Sequence, residues 1–311
     1  VAGARAEVAA MSSAAPDEKR PALPLAMLRA MRPRQWTKNA VLLVPLIFAR
    51  GVFAQGLLLH ALAAVASFSL LASAVYVAND WVDREKDRLH PEKRRRPIAA
   101  GHLGLGGAVA LMALCLGSAG AVGWYVGPRF LGVLGGYLLL QVLYTGVLKK
   151  LVILDVMAIA LGFIVRVVAG AEAISVEVSN WLFLCTLLGA VFLGFAKRRA
   201  ELSSLEDAAT AHRSNLADYS LPMIDQMMSI SAASAILAYG LYTVSHETVA
   251  RVGSDRLKFT VPCVVYGVFR YLFLVHKRGA GGAPEKVLLG DGPLQLGIAL
   301  FFALAAWALY V

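Results

Sequence analysis

Asp80, Asp83 and Asp87 stand at i, i+3 and i+7 at the end of a long uncharged stretch, a spacing that puts three carboxylates on one face of a helix. Crowded carboxylates repel one another unless a cation lies between them. Magnesium commonly joins one or two carboxylates to the phosphate oxygens of a substrate. Asn79 adds a further oxygen, so Asn79, Asp80, Asp83 and Asp87 form the candidate metal-binding group, with Asp80 and Asp83 as the candidate catalytic pair. Lys93, Arg94 and Arg96 follow between Pro91 and Pro97, and arginine grips phosphate oxygens through paired donors. Acids for a metal and cations for phosphates in one constrained loop point to a metal-bound diphosphate. A solvated cluster of charge at a membrane surface is the plainer alternative for the same residues.

The elements that must hold this loop are apolar and long. Hydrophobic residues make up 59% of the 311, and charged residues only 16%, against about a quarter charged in a soluble domain. Uncharged runs cover 51–79, 97–128, 130–148, 178–196, 226–246 and 292–311, and a helix needs roughly 20 apolar residues to cross a bilayer. Two further stretches carry isolated charges: 151–171 with Asp155 and Arg166, and 259–276 with Arg270. A first span near 36–53 completes an expected all-α bundle of nine transmembrane helices, or of eight if residues 36–79 divide differently. The runs are continuous, unlike the short alternating segments of a membrane barrel. Residues 1–22 are expected as a disordered tail, and 23–311 as one multi-pass domain. Cys115, Cys185 and Cys263 fall in different apolar runs, without metal or disulfide spacing, and read as packing residues.

The net charge of +10 would suggest nucleic acid for a soluble chain, but its placement excludes that partner. With a cytoplasmic N-terminus, 23 of the 30 Lys and Arg residues lie on the inner side and 5 on the outer, as the positive-inside rule requires. The expected setting is the cell's inner (plasma) membrane, with the C-terminus external and the Asp80 loop facing the cytoplasm. Attraction to anionic lipid accounts for scattered lysines but not for spaced acids among them.

Asn79-Asp80-x-x-Asp83-x-x-x-Asp87 resembles the first aspartate-rich motif of the UbiA-type polyprenyl transferase superfamily. Arg32-Pro-Arg-Gln-Trp-Thr-Lys-Asn39 is similar to that superfamily's N-terminal signature, and Arg96-Pro-Ile-Ala-Ala-Gly101 to the end of its first loop. Tyr144-Thr-Gly-Val-Leu-Lys149 resembles its Tyr-x-x-x-x-Lys element, and Leu154-Asp-Val through Arg166 and Ala169-Gly170 its fifth helix. The resemblance covers roughly 30–300. It implies nine helices around a central cavity, a polar site open to the cytoplasm, a lipid chain reaching the bilayer through a side opening, and Mg2+ as cofactor.

Most prenyl-transferring members carry a second motif, Asp-x-x-x-Asp, after the sixth helix. Here the segment reads Gly194-Phe-Ala-Lys-Arg-Arg-Ala-Glu-Leu202, and the nearest acids, Asp218 and Asp225, have the wrong spacing. Cations stand where the second acidic pair belongs, which suits a donor with an additional phosphate and an anionic acceptor. Lys197-Arg198-x-Ala200-Glu201-Leu202, with Arg213 and Tyr219 downstream, is similar to the branch that moves 5-phosphoribose from phosphoribosyl diphosphate to a decaprenyl-like polyprenyl phosphate. That resemblance implies donor contacts from Lys93, Arg94, Arg96, Tyr144 and Lys149, lipid-phosphate contacts from Lys197, Arg198 and Lys38, and a place in the site for Glu201 and Asp155. It also raises a homotrimer as the oligomer to look for.

Arg166 lies well inside a span, where arginine is costly and either functional or paired. It is expected at the floor of the polar cavity or, equally, as a strut to another helix. Arg270 is expected to snorkel to a helix end. Two other functions stay open: prenyl transfer from a prenyl diphosphate to an aromatic or quinone precursor on the same fold, and a non-catalytic lipid-binding or transport protein. The missing second acidic motif counts against the first. Acids confined to one face, without repeats, count against the second.

Overall fold

The computed structural model describes residues 21–49, 54–90, 93–206 and 218–310; residues 1–20 of the expected 1–22 tail, together with Pro91 and Arg213, lie outside them. The described residues are helical with no strand. Eight helices are long and apolar enough to cross a membrane, and the chain is a multi-pass membrane protein. In chain order the α-helices are α1 (Leu23–Met31), α2 (Val44–Phe48), α3 (Gln55–Val82), α4 (Arg84–Leu89), α5 (Leu105–Val126), α6 (Pro128–Gly146), α7 (Leu154–Ala173), α8 (Asn180–Glu206), α9 (Leu221–Val244), α10 (His246–Val252), α11 (Val261–Arg278), α12 (Pro284–Gly290) and α13 (Gly292–Tyr310).

The stretch expected as a first long helix takes a different form. Its described part is a 3-10 helix over Pro33–Leu43 followed by the short α2, and residues 50–53 lie outside the described residues. A 3-10 helix has three residues per turn, so side chains at i and i+3 line up. One such row is Trp36, Asn39 and Leu42. Trp36 Nε1 donates to Ser73 Oγ at 3.0 Å, and Asn39 Nδ2 to Ser69 Oγ at 2.9 Å, two serines one turn apart on α3. Leu42 meets α7 where Gly170 leaves room: a Cβ there would overlap the Leu42 carbonyl. A second row, Gln35 and Lys38, faces Glu285 at the start of α12.

α7 is the central helix, with Val156, Ala160, Val167, Ala169 and Gly170 buried along with Asp155 and Arg166. Fully buried Ala61 and Ala64 let α3 approach its neighbours closely, as small residues do in membrane bundles, and Ser67 Oγ donates to the Ala119 carbonyl of α5 at 2.8 Å. Leu114, Trp124, Leu139 and Val142 on α5 and α6 point outward and are exposed, an apolar exterior suited to lipid rather than water. Arg270 does not snorkel freely. Its Nε and Nη2 reach both carboxylate oxygens of Asp291, at 3.0 and 2.9 Å, because the turn between α12 and α13 brings that acid alongside.

Candidate active site

Two polar clusters and a buried arginine network hold about half of the residues that the sequence singles out. α3 stops at Asp83 (φ −90°, ψ 4°) and α4 restarts at Arg84. The break is small, since Asp87 N still donates to Asp83 O at 2.9 Å. Asp80 and Asp87 are 3% and 4% exposed, and Arg96 joins them: its Nη1 is 3.0 Å from Asp80 Oδ1 and 2.7 Å from Asp87 Oδ2. Arg32 pairs with the same Asp80 oxygen and lies over the ring of Tyr76, 5.2 Å from its centroid. Arg32 reaches in because it takes a left-handed conformation (φ 54°) between α1 and Pro33. Burial lowers its pKa, and the Asp80 charge opposes that fall.

The four-residue metal group expected from the motif therefore does not converge. Asn79 Oδ1 accepts from Thr145 Oγ1 at 3.3 Å, Asp80 and Asp87 share an arginine, and Asp83 makes no side-chain bond among the described residues. Among those residues no three His, Cys, Asp or Glu side chains are placed to hold a metal ion together. Arg96 lies between Asp80 and Asp87 and takes up one oxygen of each, which occupies those two carboxylates with an arginine in place of a shared metal. A smaller donor set still fits magnesium, which takes one or two carboxylates and fills its shell with water and substrate phosphate. Asp83, half-buried and unpartnered, and Asp80 one turn before it supply two.

The second cluster centres on Asp155 and Arg198, both fully buried. Arg198 Nε is 2.8 Å from Asp155 Oδ2. Its Nη1 pairs with Glu201, and its Nη2 lies 3.5 Å from the Tyr144 hydroxyl. Tyr219 donates to Asp155 Oδ1 at 2.9 Å, and Val156 N donates to the same oxygen at 2.8 Å. This joins the end of α6, the start of α7 and the end of α8, and brings Tyr144, Asp155, Arg198 and Glu201 together. Arg198 is thus turned toward protein partners rather than open space. Lys197 beside it is half-buried, and Lys38 lies close enough to feel the charges of Glu285, Lys197, Arg166 and Arg32. Lys149 is half-buried, while Lys93 and Arg94 are exposed on a short 3-10 turn after α4.

Arg166 is spent on protein. Its Nε donates to Asn39 Oδ1 at 2.9 Å, Nη1 to the Gly162 carbonyl at 2.8 Å and Nη2 to the Tyr137 hydroxyl at 2.8 Å. The rings of Tyr137, Phe68 and Phe163 surround its guanidinium at 4.9, 5.4 and 5.5 Å. Asp225, the acid with the wrong spacing, pairs with Arg199 at 2.6 Å, so no second acidic group forms among the described residues. Sequence reasoning did not place Arg32, Asn39, Tyr137, Tyr219 or Glu285 in the site. The first two lie inside a recognised motif and were within reach. Glu285, a lone acid in a basic segment, gave no signal.

The bundle holds two cavities. One of about 330 Å³ opens beside Asn79 and Thr145 between α3, α5 and α6. A larger one, about 720 Å³, lies at the other end of the bundle between α2, α8, α9 and α13, with mainly apolar walls such as Ile47, Phe48, Leu182 and Phe302.

The description "UbiA prenyltransferase family" matches residues 40–282. A decaprenyl-phosphate phosphoribosyltransferase from Corynebacterium glutamicum is 33% identical over 276 residues, 87% of this chain and 82% of the relative. One of the same description from Mycobacterium tuberculosis is 33% identical over 276 residues, 87% of this chain and 89% of its own length. Among solved structures, a UbiA homologue from Archaeoglobus fulgidus bound to GPP and Mg2+ superposes with a TM-score of 0.69 at 19% identity, covering 92% of this chain and all of that one.

Proposed function

We propose that this chain, which belongs to the UbiA prenyltransferase family, transfers 5-phosphoribose from phosphoribosyl diphosphate to a polyprenyl phosphate and releases diphosphate. The observation that carries this reading is the one-third identity to phosphoribosyltransferases over 87% of the chain. The site supports it. Asp80 and Asp87 pair with Arg32 and Arg96 at one end of the bundle, and the end of α8 carries cations where a prenyl-diphosphate enzyme would need a second acidic pair.

Bound at Asp80 and Asp83, magnesium would supply charge that stabilises the leaving diphosphate. Arg32 and Arg96 add fixed positive charge on the same side, so little reorganisation is needed as the bond breaks. The bond between ribose C1 and the diphosphate oxygen breaks, and its electron pair leaves with the diphosphate. An oxygen of the lipid phosphate forms the new bond to C1. That oxygen is already anionic, so no strong general base is required. Lys38 and Lys197 hold the lipid phosphate near the donor, Lys93, Arg94 and Lys149 line the aqueous approach, and Arg166 braces the cavity through Asn39 and Tyr137.

In this reading the Asp80 end faces the cytoplasm and the membrane is the plasma membrane. Residues 33–48 supply a ninth crossing: eleven 3-10 residues at about 2.0 Å each and five α-helical residues at about 1.5 Å reach roughly 30 Å, the depth of the hydrocarbon core. The test is purified protein with magnesium, polyprenyl phosphate and phosphoribosyl diphosphate labelled in the ribose. Label is expected to enter the lipid phase, to stay in water when magnesium is chelated, and to return on its readdition. Label that stays aqueous with magnesium present contradicts the reading.

A further inference from the structure

The turn into α7 has an unusual backbone. Ile153 has φ 67° and ψ −46°, and Leu154 N donates to Val152 O at 2.8 Å. Together these make a γ-turn of the rare, strained hand. Glycine accepts positive φ freely, whereas a β-branched residue there is an outlier. Such a conformation persists only where the surroundings over-determine it, and it clusters at functional sites. At Ile153 the surrounding group that fixes it is Tyr219. Ile153 N donates to the Tyr219 hydroxyl at 2.6 Å, and that hydroxyl donates onward to Asp155 Oδ1 at 2.9 Å. Asp155 holds Arg198, which reaches Tyr144 and Glu201.

We propose that Tyr219 is a positioning residue: its single hydroxyl locks the Ile153 γ-turn and the Asp155 carboxylate, and through Arg198 it sets the placement of Tyr144 and Glu201 for the phosphorylated donor. Tyr219 is 5% exposed and lies outside the spans, in the segment before α9. Burial pushes its phenol up to about 12, so it remains a neutral donor and acceptor at physiological pH. A phenylalanine fills the same volume but supports neither bond. A Gly at 153 holds the turn without help.

This inference rests on the phosphoribosyl-transfer reading, and its test separates the two. Tyr219→Phe is expected to raise KM for phosphoribosyl diphosphate about tenfold, the effect of one lost hydrogen bond to a charged group, while kcat stays within about twofold. Adding Ile153→Gly is expected to recover part of the KM. In the Arg198→Lys background, Tyr219→Phe is expected to add little, since both act through one chain of bonds. The same variants are compared without turnover by the shift in unfolding midpoint on titration with inorganic diphosphate and magnesium, where Tyr219→Phe should raise the half-saturating concentration about tenfold. Wild-type constants in Tyr219→Phe, or a full additive effect on Arg198→Lys, overturn the role of Tyr219 and leave the function standing. A wild type without phosphoribosyl transfer, but with diphosphate stabilisation weakened by Tyr219→Phe, overturns the donor assignment and leaves the role of Tyr219 intact.

Discussion

Asp80 sits between two arginines that also suit phosphate oxygens: its carboxylate gathers Arg32 and Arg96 and, in the proposed function, also offers an oxygen to magnesium. Asp80→Asn keeps the shape and removes the charge. It is expected to lower transfer by at least about a hundredfold, in the range of losses seen when one preorganised charge-stabilising group is removed, with the unfolding midpoint in detergent little changed. A fully active Asp80→Asn enzyme would sink the assignment. Arg166 presents the opposite case. Arg166→Met leaves Asn39 and Tyr137 without their partner, at an expected loss of roughly 1–3 kcal/mol in stability, read as a lower unfolding midpoint. An unchanged midpoint with lost turnover would move Arg166 from strut to substrate contact. The acid motif was legible in the sequence because type and spacing both carry chemistry. The pairing of Asp80 with Arg32 was not, because it depends on one left-handed residue before a proline, 48 positions away in the chain.

At the scale of elements, the least legible piece was the 3-10 helix over Pro33–Leu43. Composition marks an apolar stretch near 36–53 but says nothing about three residues per turn rather than 3.6. Only the partners of Trp36, Asn39 and Leu42 on α3 and α7 fix that geometry. Six of the eight long helices were readable from uncharged runs, and α7 and α11 from apolar stretches with isolated charges, with ends displaced where Pro97–Gly104 forms loop before α5. Gly170 tests the seam between the 3-10 helix and α7. Gly170→Ala is expected to destabilise the fold by roughly 1–3 kcal/mol, the usual effect of overpacking, whereas Gly136→Ala on α6, which meets open space, should be near neutral. Equal midpoints for the two variants would contradict the close approach of Leu42 to α7. The γ-turn at Ile153 was equally hidden, since a Val-Ile pair favours extended backbone and only Tyr219, 66 positions away, over-determines the turn.

For the whole molecule, charge asymmetry and the proposed function lead to one expectation: the Asp80 end faces the compartment that supplies a soluble, phosphorylated donor. In a variant without Cys115, Cys185 and Cys263, Lys93→Cys should react with an impermeant thiol reagent only once the membrane is opened, and Arg129→Cys, at the start of α6 on the other side, should react in intact cells. The reverse pattern overturns the orientation. The identity of the donor is read most directly from the product. The purified chain with magnesium, polyprenyl phosphate and phosphoribosyl diphosphate, run beside a second reaction with a prenyl diphosphate and an aromatic acid, is analysed by mass spectrometry. Phosphoribosyl transfer gives a lipid product heavier by one phosphoribosyl group, formed with an equal amount of diphosphate, and nothing from the second reaction; a prenylated aromatic product with no phosphoribosyl lipid would contradict it.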